Sequence, residues 1–267
     1  MDTLTIIGYI GALGIGVVLG LIGGGGSILT VPVLVYILHV EPVLATAYSL
    51  FVVGSSSLVG AVRSAQKKMV DFKTGIVFAI PALTAVFLTR RFVVPAIPDQ
   101  LYTAGNFVVT KSIAIMIFFA IIMLAASYSM IKGCKDCDDE QEQIVKFNYP
   151  LILLEGIVVG FLTGIVGAGG GFLIIPALVL LAKLPMKKAV ATSLLIIAVK
   201  SLIGFVGDLG NAEIDWTFLL SFTALSVIGI FLGLYFSRFI DGKKLKKSFG
   251  WFTLVMGVYI VLKETVL

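Results

Sequence analysis

The sequence has one histidine, two cysteines and little charge, with Asp, Glu, Lys and Arg making up 13% of its 267 residues. One imidazole and two thiols are too few for a zinc or iron–sulfur cage and offer little to hold a haem, so neither metal nor cofactor is expected. The shortage of charge excludes an ordinary soluble domain, where about a quarter of residues are charged. The remainder is apolar: 59% of residues are hydrophobic. They gather into runs long enough to cross a hydrocarbon core of roughly 30 Å. The chain therefore reads as an all-α polytopic membrane protein whose surroundings are a lipid bilayer, and not as an enzyme. Its net charge of +5 is not a nucleic-acid footprint, because Lys and Arg sit in short clusters between the apolar runs, where they orient helices. The first run follows Met1-Asp2-Thr3 without a basic start and is expected to be a retained helix, not a cleaved signal.

The chain also contains itself twice. At an offset of 144 residues, Gly20–Phe72 aligns without a gap on Gly164–Trp216, with 17 identities in 53 positions. The identities include Gly23 with Gly167, Gly25 with Gly169, Gly26 with Gly170, Pro32 with Pro176, Ser49 with Ser193 and Asp71 with Asp215. Apolar matches arise easily between membrane segments, whereas glycines, prolines, serines and an aspartate in one register do not. Each half divides into five hydrophobic segments: about 4–22, 27–38, 43–62, 72–90 and 107–131, then about 149–166, 171–182, 187–207, 216–237 and 248–265. The second segment of each half spans only about 18 Å at 1.5 Å per residue, too short to cross alone. The expected organisation is a first membrane repeat over 1–131, a polar cytoplasmic linker over 132–148 and a second repeat over 149–267. Each repeat holds a glycine-tipped helical hairpin and three transmembrane helices. That makes eight full spans in ten segments, counting the first helix of each hairpin.

Equivalent loops carry opposite charge. Loop 63–73 holds Arg63, Lys67, Lys68 and Lys73, while 207–217 holds only Asp208, Glu213 and Asp215; loop 90–106 holds Arg90 and Arg91, but 238–247 holds Arg238, Lys243, Lys244, Lys246 and Lys247. If basic loops are cytoplasmic, the repeats insert with opposite orientation, as in inverted-repeat transporters. The resulting topology puts the N-terminus outside, loop 63–73 inside, 90–106 outside, the linker inside, 208–215 outside and 238–247 inside. Arg90 and Arg91 are its exception.

GLIGGGGS (20–27) and GIVGAGGG (164–171) mark the hairpin tips. Irregular backbone at membrane depth is tolerated where it is buried in protein or lines a wet cavity. Gly23, Gly24, Gly25, Gly26 and Ser27, with Gly167, Gly169, Gly170 and Gly171, are therefore candidate substrate-binding residues. Backbone can approach a ligand closely there, and the helices that follow present free amides to an anion. The alternative is close helix packing, the preferred reading for Gly8, Gly11, Gly16, Gly229 and Gly233. In the third segment of each half, Tyr48, Ser49 and Ser56, and Thr192, Ser193 and Lys200, are polar groups in apolar helices and join the candidates. Lys200 stands out, because a lone cation in mid-membrane marks a functional site or an internal ion pair, here with Asp208 or Glu155. Cys134 and Cys137 form a single CxxC, a weak signal read as incidental to the linker. His39, Tyr102, Trp216 and Trp251 sit at segment ends as interfacial residues.

GLIGGGGSILTVP with ATAYSL, and GIVGAGGGFLIIP with AVATSL, together resemble the TauE/SafE family of membrane permeases, also called sulfite exporters. The resemblance implies movement of small sulfur-containing anions, such as sulfite or sulfonates, across the cytoplasmic membrane, usually outward. The CxxC is no part of that pattern. The expected function is secondary transport of such an anion from two opposed tips meeting near the bilayer midplane. A channel or carrier for another small solute, and a membrane thiol redox protein, remain alternatives. A homodimer is one assembly open to it.

Overall fold

A computed structural model describes residues 3–24, 26–104, 107–132, 149–167, 170–180, 184–209, 213–237, 239 and 242–266. Gly25, Gly169 and the linker cysteines Cys134 and Cys137 lie outside the described residues.

Helix α1 (Thr3–Ile22) stops where a glycine can turn left-handed: Gly23 has φ +80°, and its amide donates to the Leu19 carbonyl at 2.7 Å. A short α2 (Ser27–Pro32) follows and continues as a π-helical turn, Val33–Ile37. That turn folds back on α1, with Val33 against Gly11 and Leu38 against Gly8. Helix α3 (Pro42–Gln66) starts at a proline and is capped by Glu41, whose carboxylate accepts the Leu44 amide at 3.0 Å. Asp71 caps α4 (Phe72–Leu88) in the same manner. Helicity then runs on through a π-helical turn, Thr89–Val93, into α5 (Val94–Ala96).

Strands β1 (Gln100–Ala104) and β2 (Phe107–Thr110) form an antiparallel hairpin before α6 (Lys111–Lys132). The second half contributes α7 (Tyr149–Val166), α8 (Gly171–Leu180), α9 (Met186–Asp208), α10 (Trp216–Phe236) and α11 (Gly242–Val266). Helix α7 ends as α1 does, at Gly167 with φ +69° and an amide bond to Thr163 at 2.8 Å.

Three boundaries depart from the sequence reading. The fourth segment continues past Arg90 to Ala96, so Arg90 and Arg91 are helical and not in a loop. The fifth begins at Lys111, because the β-branched and aromatic run Phe107–Thr110 pairs as a strand instead. The lysines from Lys243 to Lys247 are the first turns of α11, lysine being a good helix former.

Among the described residues, Pro42–Gln66, Phe72–Ala96, Lys187–Asp208 and Trp216–Phe236 are long and apolar enough to cross a membrane. Ile6–Ile22, Ser27–Ile37, Lys111–Ala125 and Leu153–Val166 are shorter apolar helices. Ile10, Ile80, Phe92, Leu154 and Val255 are all exposed, an apolar rind of the kind a bilayer covers.

Inside, α1 packs on α10, α4 on α7, α3 on α9 and α6 on α11, and α3 and α9 also meet α10 and α4 respectively. Exchanging every element for its counterpart in the other half leaves this set of pairings unchanged. Individual residues follow the same 144-residue offset: Gly16 sits against the Ser226 carbonyl and Gly160 against that of Ala82, Gly60 against Leu194 and Gly204 against Leu50. Gly54 beside Leu202, with Leu50 beside Gly204, makes the crossing of α3 and α9 antiparallel. Gly16 and Gly20 meet Gly229 and Gly233 backbone to backbone, close packing of the small-xxx-small kind.

Candidate functional site

The two glycine runs meet. A Cβ on Gly24 would fall 2.5 Å from the Cα of Gly171, and one on Gly171 would strike Gly24 in return, so only two bare backbones fit. Each run is also pinned to the third helix of the other half. Gly23 lies against Val190 of α9, and Gly167 lies against Thr46 of α3, the residue 144 positions before Val190. Positive φ at Gly23, Gly167 and Gly170 makes these turns costly for any side chain. Ser27 turns inward, donating its hydroxyl to the Gly24 carbonyl at 2.6 Å. Ser193 donates to the Val190 carbonyl at 2.8 Å and lies 3.5 Å from the Gly23 carbonyl.

Lys200 is 1% exposed. Its ammonium donates to the Thr163 hydroxyl at 2.8 Å, and a Cβ on Gly170 would come within 2.6 Å of its Nζ. The cation therefore stands beside the second glycine run. Among the described residues no carboxylate pairs with it. Of the partners the sequence offered, Asp208 faces Arg90 instead, Nε to Oδ2 at 3.5 Å, and Glu155 keeps a buried Oε2 without a hydrogen bond.

The polar residues of α3 and α9 divide into two groups. Tyr48 accepts the Asp215 amide at 2.8 Å, and its counterpart Thr192 accepts the Asp71 amide at 3.0 Å. Those two aspartates cap α10 and α4, so each hydroxyl steadies a helix start in the other half. Ser56 donates to Ser226 at 2.9 Å, bridging α3 to α10. Ser49 is fully buried and its hydroxyl has no partner among the described residues. The tips thus gather Gly23, Gly24, Gly26, Ser27, Gly167, Gly170, Gly171, Ser193 and Lys200, whereas Tyr48, Ser56 and Thr192 are engaged between helices.

Two residues escaped the sequence reading. Thr163, the acceptor for Lys200, is a single threonine in an apolar run and gives no signal until the fold places it. Arg90 looked like a loop charge but is 0% exposed. Its failure to fit the charge rule for loops was the available hint.

The chain matches the family model described as "Sulfite exporter TauE/SafE" over residues 8–260. It is 28% identical over 254 residues to a probable membrane transporter protein of Xylella fastidiosa, covering 94% of this chain and 92% of that one. It is 30% identical over 261 residues to the probable membrane transporter protein YunE of Bacillus subtilis, covering 92% and 90%. A probable membrane transporter protein of Methanocaldococcus jannaschii is 29% identical over 280 residues, covering 98% and 96%. No solved structure matches. A match across nearly the whole chain, on a helical body with a lipid-facing apolar surface, establishes that this multi-pass membrane transporter belongs to the sulfite exporter TauE/SafE family.

Proposed function

We propose that the protein is a secondary transporter that moves small sulfur-containing oxyanions, sulfite or sulfonates, outward across the cytoplasmic membrane. Lys200 carries this reading. A buried ammonium costs several kcal/mol to desolvate unless an opposite charge sits against it. Among the described residues Thr163 supplies only a neutral oxygen, so the missing charge comes with the substrate. A tetrahedral or pyramidal oxyanion fits such a place, since its oxygens would take the ammonium, the unpartnered Ser49 hydroxyl, Ser193 and amides of the tips. The description of the family to which the chain belongs, a sulfite exporter, is what favours the sulfur-containing class.

Transport follows from inverted repeats, residues 1–131 and 149–267, joined by a cytoplasmic linker. The antiparallel crossing of α3 and α9 supports inversion, because equivalent spans related by an axis along the membrane normal would run parallel. The tips then sit near the pseudo-two-fold, and rocking one repeat against the other exposes them to each side in turn.

Thermal denaturation of the purified protein with sulfite, a sulfonate, sulfate or thiosulfate tests the reading, together with flux in proteoliposomes. Sulfite at about 100 times its Kd stabilises the folded state by about 2.7 kcal/mol, a shift of a few degrees. Lys200→Met abolishes that shift and lowers flux at least about 100-fold, the loss of roughly 2.7 kcal/mol of charge pairing. Full flux through Lys200→Met, or a wild type indifferent to every anion, sinks the assignment.

A further inference from the structure

The structure assigns a second oxyanion station to Arg90, which Asp208 occupies in the state described and which substrate takes over on its way between Lys200 and the end of α9. This rests on the oxyanion reading above and extends it from a site to a path.

Arg90 lies in the π-helical turn Thr89–Val93. Such turns interrupt a helix at some cost and recur at functional sites. The side chain is 0% exposed, yet among the described residues none of its three guanidinium nitrogens has a hydrogen-bond partner. Asp208 stands at 3.5 Å from Nε, and its Oδ2 too has no hydrogen-bond partner among the described residues, so the pair faces each other without the bidentate geometry that makes such a pair strong. A pair held only to stabilise the fold would satisfy that fork. One whose carboxylate must be displaced by another oxyanion would leave it loose.

The position suits a path. The backbone at Gly207 lies against Arg90, and Gly164 lies against Thr89, so α7, α9 and the π turn close on one another. Thr163 precedes Gly164 and binds Lys200. Lys200 and Asp208 are two turns apart on α9, about 12 Å along its axis. Asp208 is 6% exposed and Arg91, next to Arg90, is exposed, so the pair sits one layer beneath the surface. An oxyanion leaving Lys200 meets a guanidinium fork as its next cation, and Asp208 competes with it and limits its stay.

Equilibrium binding of radiolabelled sulfite to the purified full-length protein tests this. Asp208→Asn removes the competing carboxylate, and the variant is expected to bind two sulfites per chain where the wild type binds one. Arg90→Gln/Asp208→Asn returns the count to one. Lys200→Met/Asp208→Asn also binds one, at Arg90. If the wild type binds none while Asp208→Asn binds one that Arg90→Gln removes, the Lys200 site fails, Arg90 alone holds an oxyanion, and the path between the two is overturned. One sulfite in Asp208→Asn, lost with Lys200→Met, overturns the second station and leaves the first.

Should Asp208→Asn not fold, the double variant Arg90→Gln/Asp208→Asn decides, since it leaves no unpaired buried charge. Its sulfite flux falls at least about tenfold while its thermal stability stays near wild type. Wild-type flux through that folded double variant overturns the assignment.

Discussion

Gly26 of the first tip rests on Leu19, whereas Gly170 of the second rests on Thr163 and Lys200. These positions are counterparts at the 144-residue offset, and the contrast continues outward. Where α9 has Lys200, α3 has Ser56, bonded to Ser226 of α10. Where the second side has the facing pair Arg90 and Asp208, the first has Leu234 and Ser64. The helix pairings of the two sides correspond, but among the described residues the buried cations Lys200 and Arg90 lie on one side only. Symmetry is what a rocking motion needs. On the proposed mechanism, charge asymmetry holds the anion off the axis, where one half carries it while the other moves past.

The part the two sides share is the most sensitive to change. Gly24 and Gly171 touch through backbone, and no side-chain rotation can make room for a methyl group on either. Gly24→Ala and Gly171→Ala are each expected to destabilise by about 3 kcal/mol or more, enough to lose monodisperse protein in detergent. Equal damage from both supports a shared hinge. Normal folding and flux in one of the pair would show that the tips can separate and would end the claim that they work as a unit.

Next in size is the transfer of charge to the bare side. Ser56→Lys puts an ammonium where Ser56 now bonds Ser226, in the half whose counterpart of Thr163 is Leu19. The cost is about 2.5–3.5 kcal/mol for an unpaired cation in mid-membrane. Circular dichroism melts should show that loss, with no second sulfite bound. A stable Ser56→Lys protein that binds two sulfites would mean that the first side is equally competent and that the one-sidedness carries no mechanism.

Much of this comparison was legible in the residues alone. The glycine runs, their spacing and the lone Lys200 announced two tips and one cation, because glycine at membrane depth and charge in an apolar run are both costly enough to stand out. The charge pattern of the loops gave opposite orientations, and the antiparallel crossing of α3 and α9 is consistent with it. Arg90 was misplaced, because its partner Asp208 lies in the other half and nothing local distinguishes a buried arginine at a helix end from a loop arginine. The strand hairpin before α6 was missed for a similar reason, since Phe107–Thr110 is as apolar as the helix it precedes. Tyr48 and Thr192 were found as polar groups, but their partners could not be read, because a hydroxyl that accepts a distant backbone amide leaves no mark in sequence.

Those two hydroxyls give the finest test of how far the correspondence extends. Tyr48 and Thr192 occupy equivalent positions, and each accepts the amide of the aspartate that caps the fourth helix of the opposite half. Tyr48→Phe and Thr192→Val delete the acceptor and leave the amide of Asp215 or Asp71 unsatisfied in a part-buried site. Each is expected to cost about 1–2 kcal/mol, and the two should add, since they act on different helices. Thermal melts of both single variants and the double measure this, and flux should fall only as far as the folded fraction does. A loss of sulfite binding in either variant at full stability would return that hydroxyl to the substrate. Unequal costs would mean that one half relies on its hydroxyl bridge more than the other, and the correspondence would then end at the backbone.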